Sequence, residues 1–219
     1  MICAAASIVF AALEALAISK NRRALEFVAR PAVIVSLFAW LYLATGLGGA
    51  AFWFGAGLLF SLAGDLLLLW SERFFVHGLA AFLLTHSAYV IGFNMPRPAI
   101  SLWSLILAVI VGLSAARLLR RLLTAVRERG QKRFTLPISI YGSVITLMLL
   151  SALLTLSNTD WSAGASLLVS FGAFAFYLSD VILAWNKFVA PISNGKLLNI
   201  GLYHAGQIAL IAGVILQFS

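Results

Sequence analysis

A chain of 219 residues that is 63% hydrophobic and only 10% charged cannot cover a soluble core of its size with polar surface. The mean hydropathy of +1.04 points to a polytopic membrane protein. The single cysteine, Cys3, excludes an intramolecular disulfide and a cysteine-based metal cluster.

Uninterrupted apolar runs long enough to cross a bilayer, roughly 17–25 residues each, occur eight times. They cover residues 2–18, 31–47, 51–70, 74–93, 100–119, 136–156, 161–185 and 197–217. Little chain is left over, so the prediction is one eight-helix transmembrane domain over residues 1–219. The first run does not read as a cleavable signal peptide, because Lys20, Arg22 and Arg23 follow it and no basic segment precedes it. Pro31 opens the second run and Pro137 lies at the start of the sixth. The third carries Asp65, Leu68 and Trp70, and the seventh carries Asp180, Leu183 and Trp185 at the same spacing. Phe74 and Phe188 follow these sets. The fourth run holds His86 and Tyr89, and the eighth holds Tyr203 and Gln207. These matches suggest two four-helix halves of like orientation.

The net charge of +8 has a location. Lys20, Arg22, Arg23 and Arg30 follow the first span, Arg73 follows the third, seven cations lie in residues 117–133, and Lys187 and Lys196 follow the seventh. Only Arg97 falls on the other side. By the positive-inside rule these loops are cytoplasmic and both termini lie outside, in a multi-pass protein of the cell (inner) membrane. No nucleic-acid partner is expected. The stretch 117–133 reads as a topology determinant, with an anionic-lipid site as the alternative. Trp53, Trp103 and Trp161 at the outer face and Trp70 and Trp185 at the inner face are expected to form an aromatic belt.

Of only seven acidic residues, Glu14 stands near the inner end of the first span, and Asp65 and Asp180 stand inside the third and seventh. A carboxylate there costs several kcal/mol unless paired, hydrated or protonated. Each aspartate precedes its tryptophan by five residues, so at ~1.5 Å per residue both lie roughly 8 Å from the inner belt. His86 lies near mid-membrane, whereas His77, nine residues earlier, faces another side of the helix near the inner surface. Tyr141 is close to the inner end of the sixth span. Asn199, Tyr203 and Gln207 recur at i, i+4 and i+8, a one-sided polar stripe. Polar groups thus collect in the cytoplasmic half, predicting a cavity open toward that side. Glu14 is expected to pair with Lys20 or Arg22, and His204 to pack behind the site.

Motifs for a serine lipase, a zinc hydrolase, a phosphate loop and a dinucleotide fold are all missing from the sequence. What remains is a carboxyl pair with Tyr, His, Asn and Gln. Two carboxyls sharing one site titrate in separate steps, so one can hold a proton while the other is ionised. The residues alone fit three kinds of protein. One is an acid/base enzyme. Another is a proton-coupled transporter or receptor-like binding protein for a lipid or small molecule. The third is a membrane scaffold whose aspartates bond neighbouring helices.

Taken in order, Arg30-Pro31, Gly64-Asp65, Gly78 with Phe82, His86 with Tyr89, Tyr141, Ser179-Asp180, and Tyr203 with His204 and Gln207 resemble the YhhN-type integral membrane lysoplasmalogenases over most of the chain. The family usually has lysine at the place of Arg30, which keeps the charge, and often an aromatic residue at the place of His204. The resemblance implies hydrolysis of the vinyl ether bond of lysoplasmalogens to a fatty aldehyde and glycerophosphocholine or glycerophosphoethanolamine. Asp65 and Asp180 would be the catalytic acid/base pair. His86, Tyr89, Tyr141, Asn199, Tyr203, Gln207 and Arg30 would bind or orient a lysophospholipid substrate or water. No cofactor or metal is expected, because the reaction needs only a proton donor and a carboxylate. The lipid tail is expected among the outer segments of the third, fourth, seventh and eighth spans, with membrane lipids around the bundle.

Overall fold

The computed structural model describes residues 2–95 and 101–219 and is all-helical there. Its long helices are α1 (Ile2–Ser19), α2 (Arg23–Thr45), α3 (Ala51–Trp70), α4 (Phe75–Phe93), α5 (Leu102–Glu128), α6 (Thr135–Leu154), α7 (Ala163–Phe188) and α8 (Gly195–Phe218). All eight are long and apolar enough to cross a membrane. The chain is therefore a multi-pass membrane protein with the predicted spans. Arg97, the one cation placed on the far side, lies outside the described residues.

Two helices run far beyond their apolar runs. α2 begins at Arg23 and carries Pro31 inside it. The segment before the proline is polar, yet its Arg, Ala, Leu and Glu are good helix formers, and the proline forfeits one backbone bond to the preceding turn. α5 runs on to Glu128, so Arg117, Arg120, Arg121 and Arg127 ride on a helix rather than a loop. Pro137 falls in the first turn of α6, where its missing N–H costs little.

Helices adjacent in sequence pack together from α1 to α4 and again from α5 to α8, and α4 packs on α6 as α8 packs on α2. That equivalence is the pattern two four-helix halves would produce. The closest approach is between α7 and α8. A Cβ added at Gly172 would stand 2.5 Å from the Leu210 nitrogen and 2.7 Å from the Gly206 oxygen. Neither backbone atom can give way, and glycine is what permits the contact. Gly172→Val is accordingly expected to lose most of its monodisperse peak in detergent gel filtration. Gly112→Val, whose Cβ would meet nothing within 4 Å, should keep it.

The basic loops gather at one end. Arg23 donates to the Leu69 and Trp70 carbonyls at 3.1 Å, Arg129 to the Val189 carbonyl at 2.6 Å, and Lys196 to Glu26 at 2.6 Å. The other end is closed by aromatic packing. The Trp161 ring lies 6.1 Å from Phe93 and 5.4 Å from Phe218, while Ser162 and Asp160 bond the Gln217 side chain. Trp161 is only 6% exposed and so is not part of the expected belt. The turn before α7 folds it over the core. Trp70 and Trp103, at opposite ends, are each 70% exposed and fit a belt.

Candidate active site

α3 and α8 build the surroundings of Asp65. The Tyr203 hydroxyl donates to Asp65 Oδ2 at 2.6 Å and lies 2.7 Å from Ser61 Oγ. Gln207 Nε2 donates to Ser61 at 2.9 Å, and the Tyr89 hydroxyl donates to Gln207 Oε1 at 2.8 Å. Because Tyr203 spends its proton on the carboxylate, Ser61 donates to the Tyr203 oxygen. Every donor in the chain Tyr89, Gln207, Ser61, Tyr203 then points toward Asp65, and all five groups are buried. Interhelical hydrogen bonds in membranes average only ~0.6 kcal/mol, about 2 kcal/mol for four. That falls short of the several kcal/mol a membrane carboxylate costs. The network orients Asp65 more than it stabilises the bundle.

Asp180 on α7 is held by α4 and α6. The Tyr141 hydroxyl donates to Oδ2 in a short bond. His86 Nε2 lies 3.3 Å from the same oxygen and 3.0 Å from the Tyr141 hydroxyl. With the Tyr141 proton committed to the carboxylate, His86 presents Nε2–H, and its buried Nδ1 has no partner among the described residues. Phe176 packs on the imidazole with ring centroids 4.7 Å apart and fixes its plane.

Arg30 is anchored from two further helices. Its Nε donates to Glu14 Oε1 of α1 at 2.5 Å, and Glu14 Oε2 lies 2.5 Å from His204 Nε2 of α8. The expected pairing of Glu14 with Lys20 or Arg22 is not found, since both cations are exposed at the helix end while Glu14 faces α2 and α8. Asn199 donates to the Ser179 carbonyl at 2.8 Å and its hydroxyl at 3.0 Å, tying α8 to the residue before Asp180.

These elements enclose a cavity of about 350 Å³. Asp65, Asp180, Arg30, Tyr203 and Asn199 all line it, and Lys187, Lys196 and Glu72 stand at its basic-loop end. The two aspartates placed at one depth by sequence therefore open onto one space. His86, Tyr89 and Gln207 are not on its wall but stand behind the residues that are. His77 is exposed and does not line the cavity. Ser61 was not anticipated, although it lies one turn before Asp65 on the same helix face.

A second, apolar pocket of about 70 Å³ lies between α5, α6 and α7, with Tyr141 on its wall. Phe75, Asp180 and Leu183 line both spaces. The outer segments of α3 and α4, two of the four spans expected to take a tail, pack closely on each other. A Cβ at Gly57 would fall 2.2 Å from the Tyr89 ring, and one at Gly92 would fall 2.6 Å from Phe54. Chemically, the site offers two carboxyls, a fixed guanidinium and a boundary between polar and apolar walls. It suits an anionic amphiphile and proton transfer.

The YhhN family model matches residues 25–214. Human lysoplasmalogenase TMEM86A is 34% identical over 177 residues, covering 77% of this chain and 70% of its own length. Mouse lysoplasmalogenase TMEM86B is 30% identical, covering 83% and 71%. A lysoplasmalogenase of Mycobacterium bovis is 31% identical over 63% of this chain and 50% of its own. No solved structure matches.

Proposed function

This chain belongs to the YhhN family, and on that premise we propose that it is a lysoplasmalogenase, hydrolysing the vinyl ether bond of alkenyl lysophospholipids to a fatty aldehyde and glycerophosphocholine or glycerophosphoethanolamine. The observation that carries this reading is Asp180 on the shared wall of a polar cavity and an apolar pocket. The vinyl ether is the bond between a lysolipid's polar head and its chain, and it belongs at such a boundary.

Asp180 is the general acid. Its Oδ2 accepts from Tyr141, leaving Oδ1 to carry the proton. That proton goes to the chain carbon beyond the one bonded to oxygen, and the C=C pair forms the new C–H bond. The positive charge is then shared between the oxygen-bearing carbon and the ether oxygen. Asp65 is the base, positioned by Tyr203, and faces the same cavity from the polar side. It stabilises the cation and removes a proton from the water that attacks that carbon. In the hemiacetal collapse the C–O bond to the glycerol breaks. The glycerol oxygen takes the proton from Asp65, the hemiacetal hydroxyl returns one to Asp180, and the pair is reset. Arg30, with Lys196 and Lys187 at the mouth, holds the headgroup phosphate. Asn199 keeps Ser179 and hence Asp180 in place. By the positive-inside rule the basic loops support a mouth on the cytoplasmic side of the membrane.

The test is purified protein given alkenyl, alkyl-ether and ester lysolipids in parallel. Aldehyde should form from the alkenyl substrate alone. Proton-coupled uptake into proteoliposomes with no aldehyde would overturn the reading in favour of a transporter. The aromatic closure around Trp161 speaks for a cavity open at one end.

A further inference from the structure

α5 is packed unlike the other helices. Of its 27 residues only Ser104, Leu122 and Val126 are buried, so between Ser104 and Leu122 nothing on it is sealed against the bundle. It meets α6, and α7 besides. The apolar pocket beside Asp180 opens into this seam. Ala115, Leu119, Gly142 and Thr146 line both that pocket and a groove of about 340 Å³ that continues between α5 and α6 past Gly112 to Ala108.

From Leu122 to Ala108 the seam follows α5 for ~21 Å at 1.5 Å per residue. One leaflet supplies only about half of a ~30 Å hydrocarbon core, so the seam is long enough to take a chain drawn from one leaflet. Its inner neck is narrow. At about 70 Å³ it is roughly half of the ~150 Å³ that admits benzene in an apolar cavity. That suits one flexible chain and not two. The neck ends at Asp180, where the polar cavity begins.

We infer that the seam between α5 and α6 is the site of the substrate's single hydrocarbon chain, which slips in sideways from the membrane, and that Gly142 and Ala115 set its fit. The inference rests on the lysoplasmalogenase reading and adds where the chain lies. Gly142 is the critical position. A Cβ there would already stand 3.3 Å from Leu119 Cδ1, so a larger side chain closes the neck. Replacing a mid-helix glycine also favours the helix, since glycine is up to ~1 kcal/mol worse than alanine there, which argues against loss of fold as the outcome.

The experiment compares kcat/KM for 1-hexadecenyl and 1-hexenyl lysolipids in wild type, Gly142→Leu and Ala115→Leu. The long-chain value should fall about tenfold or more in both variants, and by clearly more than the short-chain value, so that the long-to-short ratio drops. An unchanged long-to-short ratio, with wild type active, overturns the seam and leaves the activity standing. No aldehyde from wild type with either substrate overturns both. A second readout needs no turnover. An alkyl-ether lysolipid with a diazirine at its chain end should crosslink to residues of α5 and α6 facing the seam, and excess unlabelled alkyl-ether lysolipid should compete. Labelling spread over all outward helix faces, as ordinary surrounding lipid would give, overturns the inference.

Discussion

Asp180→Asn is expected to lower aldehyde release by about 10²–10⁴-fold, the range a positioned general acid contributes. The substitution is conservative where it matters for folding. The amide oxygen still accepts from Tyr141, so the bundle around α4, α6 and α7 should stay intact. What disappears is the proton for the alkenyl carbon. Because that transfer to carbon is the slow step, wild type should also turn over more slowly in heavy water. Asp65→Asn should be similarly impaired with the slow step moved toward water attack. Tyr141→Phe, which removes only a bond to Asp180, should cost less than either. The measurements are kcat/KM for an alkenyl lysolipid alongside a thermal-shift midpoint. A folded Asp180→Asn protein at the wild-type rate would end the proposed mechanism.

Glu14→Ala should give the largest loss of stability among single side-chain changes near the site. Removing one partner of a buried ion pair typically costs 3–5 kcal/mol, because the other charge is left uncompensated. Here two partners lose their acceptor at once, Arg30 and His204. The thermal midpoint in detergent should fall sharply. Arg30→Met combined with Glu14→Ala should recover part of it, since an apolar replacement of a whole buried pair is often close to neutral. Activity should not recover with stability, because the arginine lost is the one assigned to the phosphate. An unchanged midpoint for Glu14→Ala would show that the cluster is not a structural anchor.

The eight spans were legible because each is an apolar run of membrane length, and composition alone enforces that. Helix ends were not. α2 and α5 extend through polar residues that favour helix without being hydrophobic, as at Glu26 and Arg121. The burial of Trp161 depends on how a turn folds over Phe93 and Phe218, which no local pattern encodes. For the site, depth was readable from residue counts to Trp70 and Trp185, and periodicity put Asn199, Tyr203 and Gln207 on one face, where all three are buried. The partner of Asp180 emerged only in three dimensions, because Tyr141 and His86 come from two other helices. The link from Glu14 to His204 spans almost the whole chain. The seam was invisible for another reason: the membrane-length part of α5 is as apolar as its neighbours, and only its packing distinguishes that part.

Phe75, Asp180 and Leu183 form a wall common to two rooms, one watery and one oily. Cutting a molecule at that wall leaves each fragment already in the medium it prefers. The headgroup alcohol can depart through the basic mouth while the aldehyde drifts out sideways into the bilayer, and neither has to pass the other. Release should then follow no fixed order. Added glycerophosphocholine and added aldehyde should inhibit independently of each other, and the composition of the surrounding lipid should govern the aldehyde's escape alone.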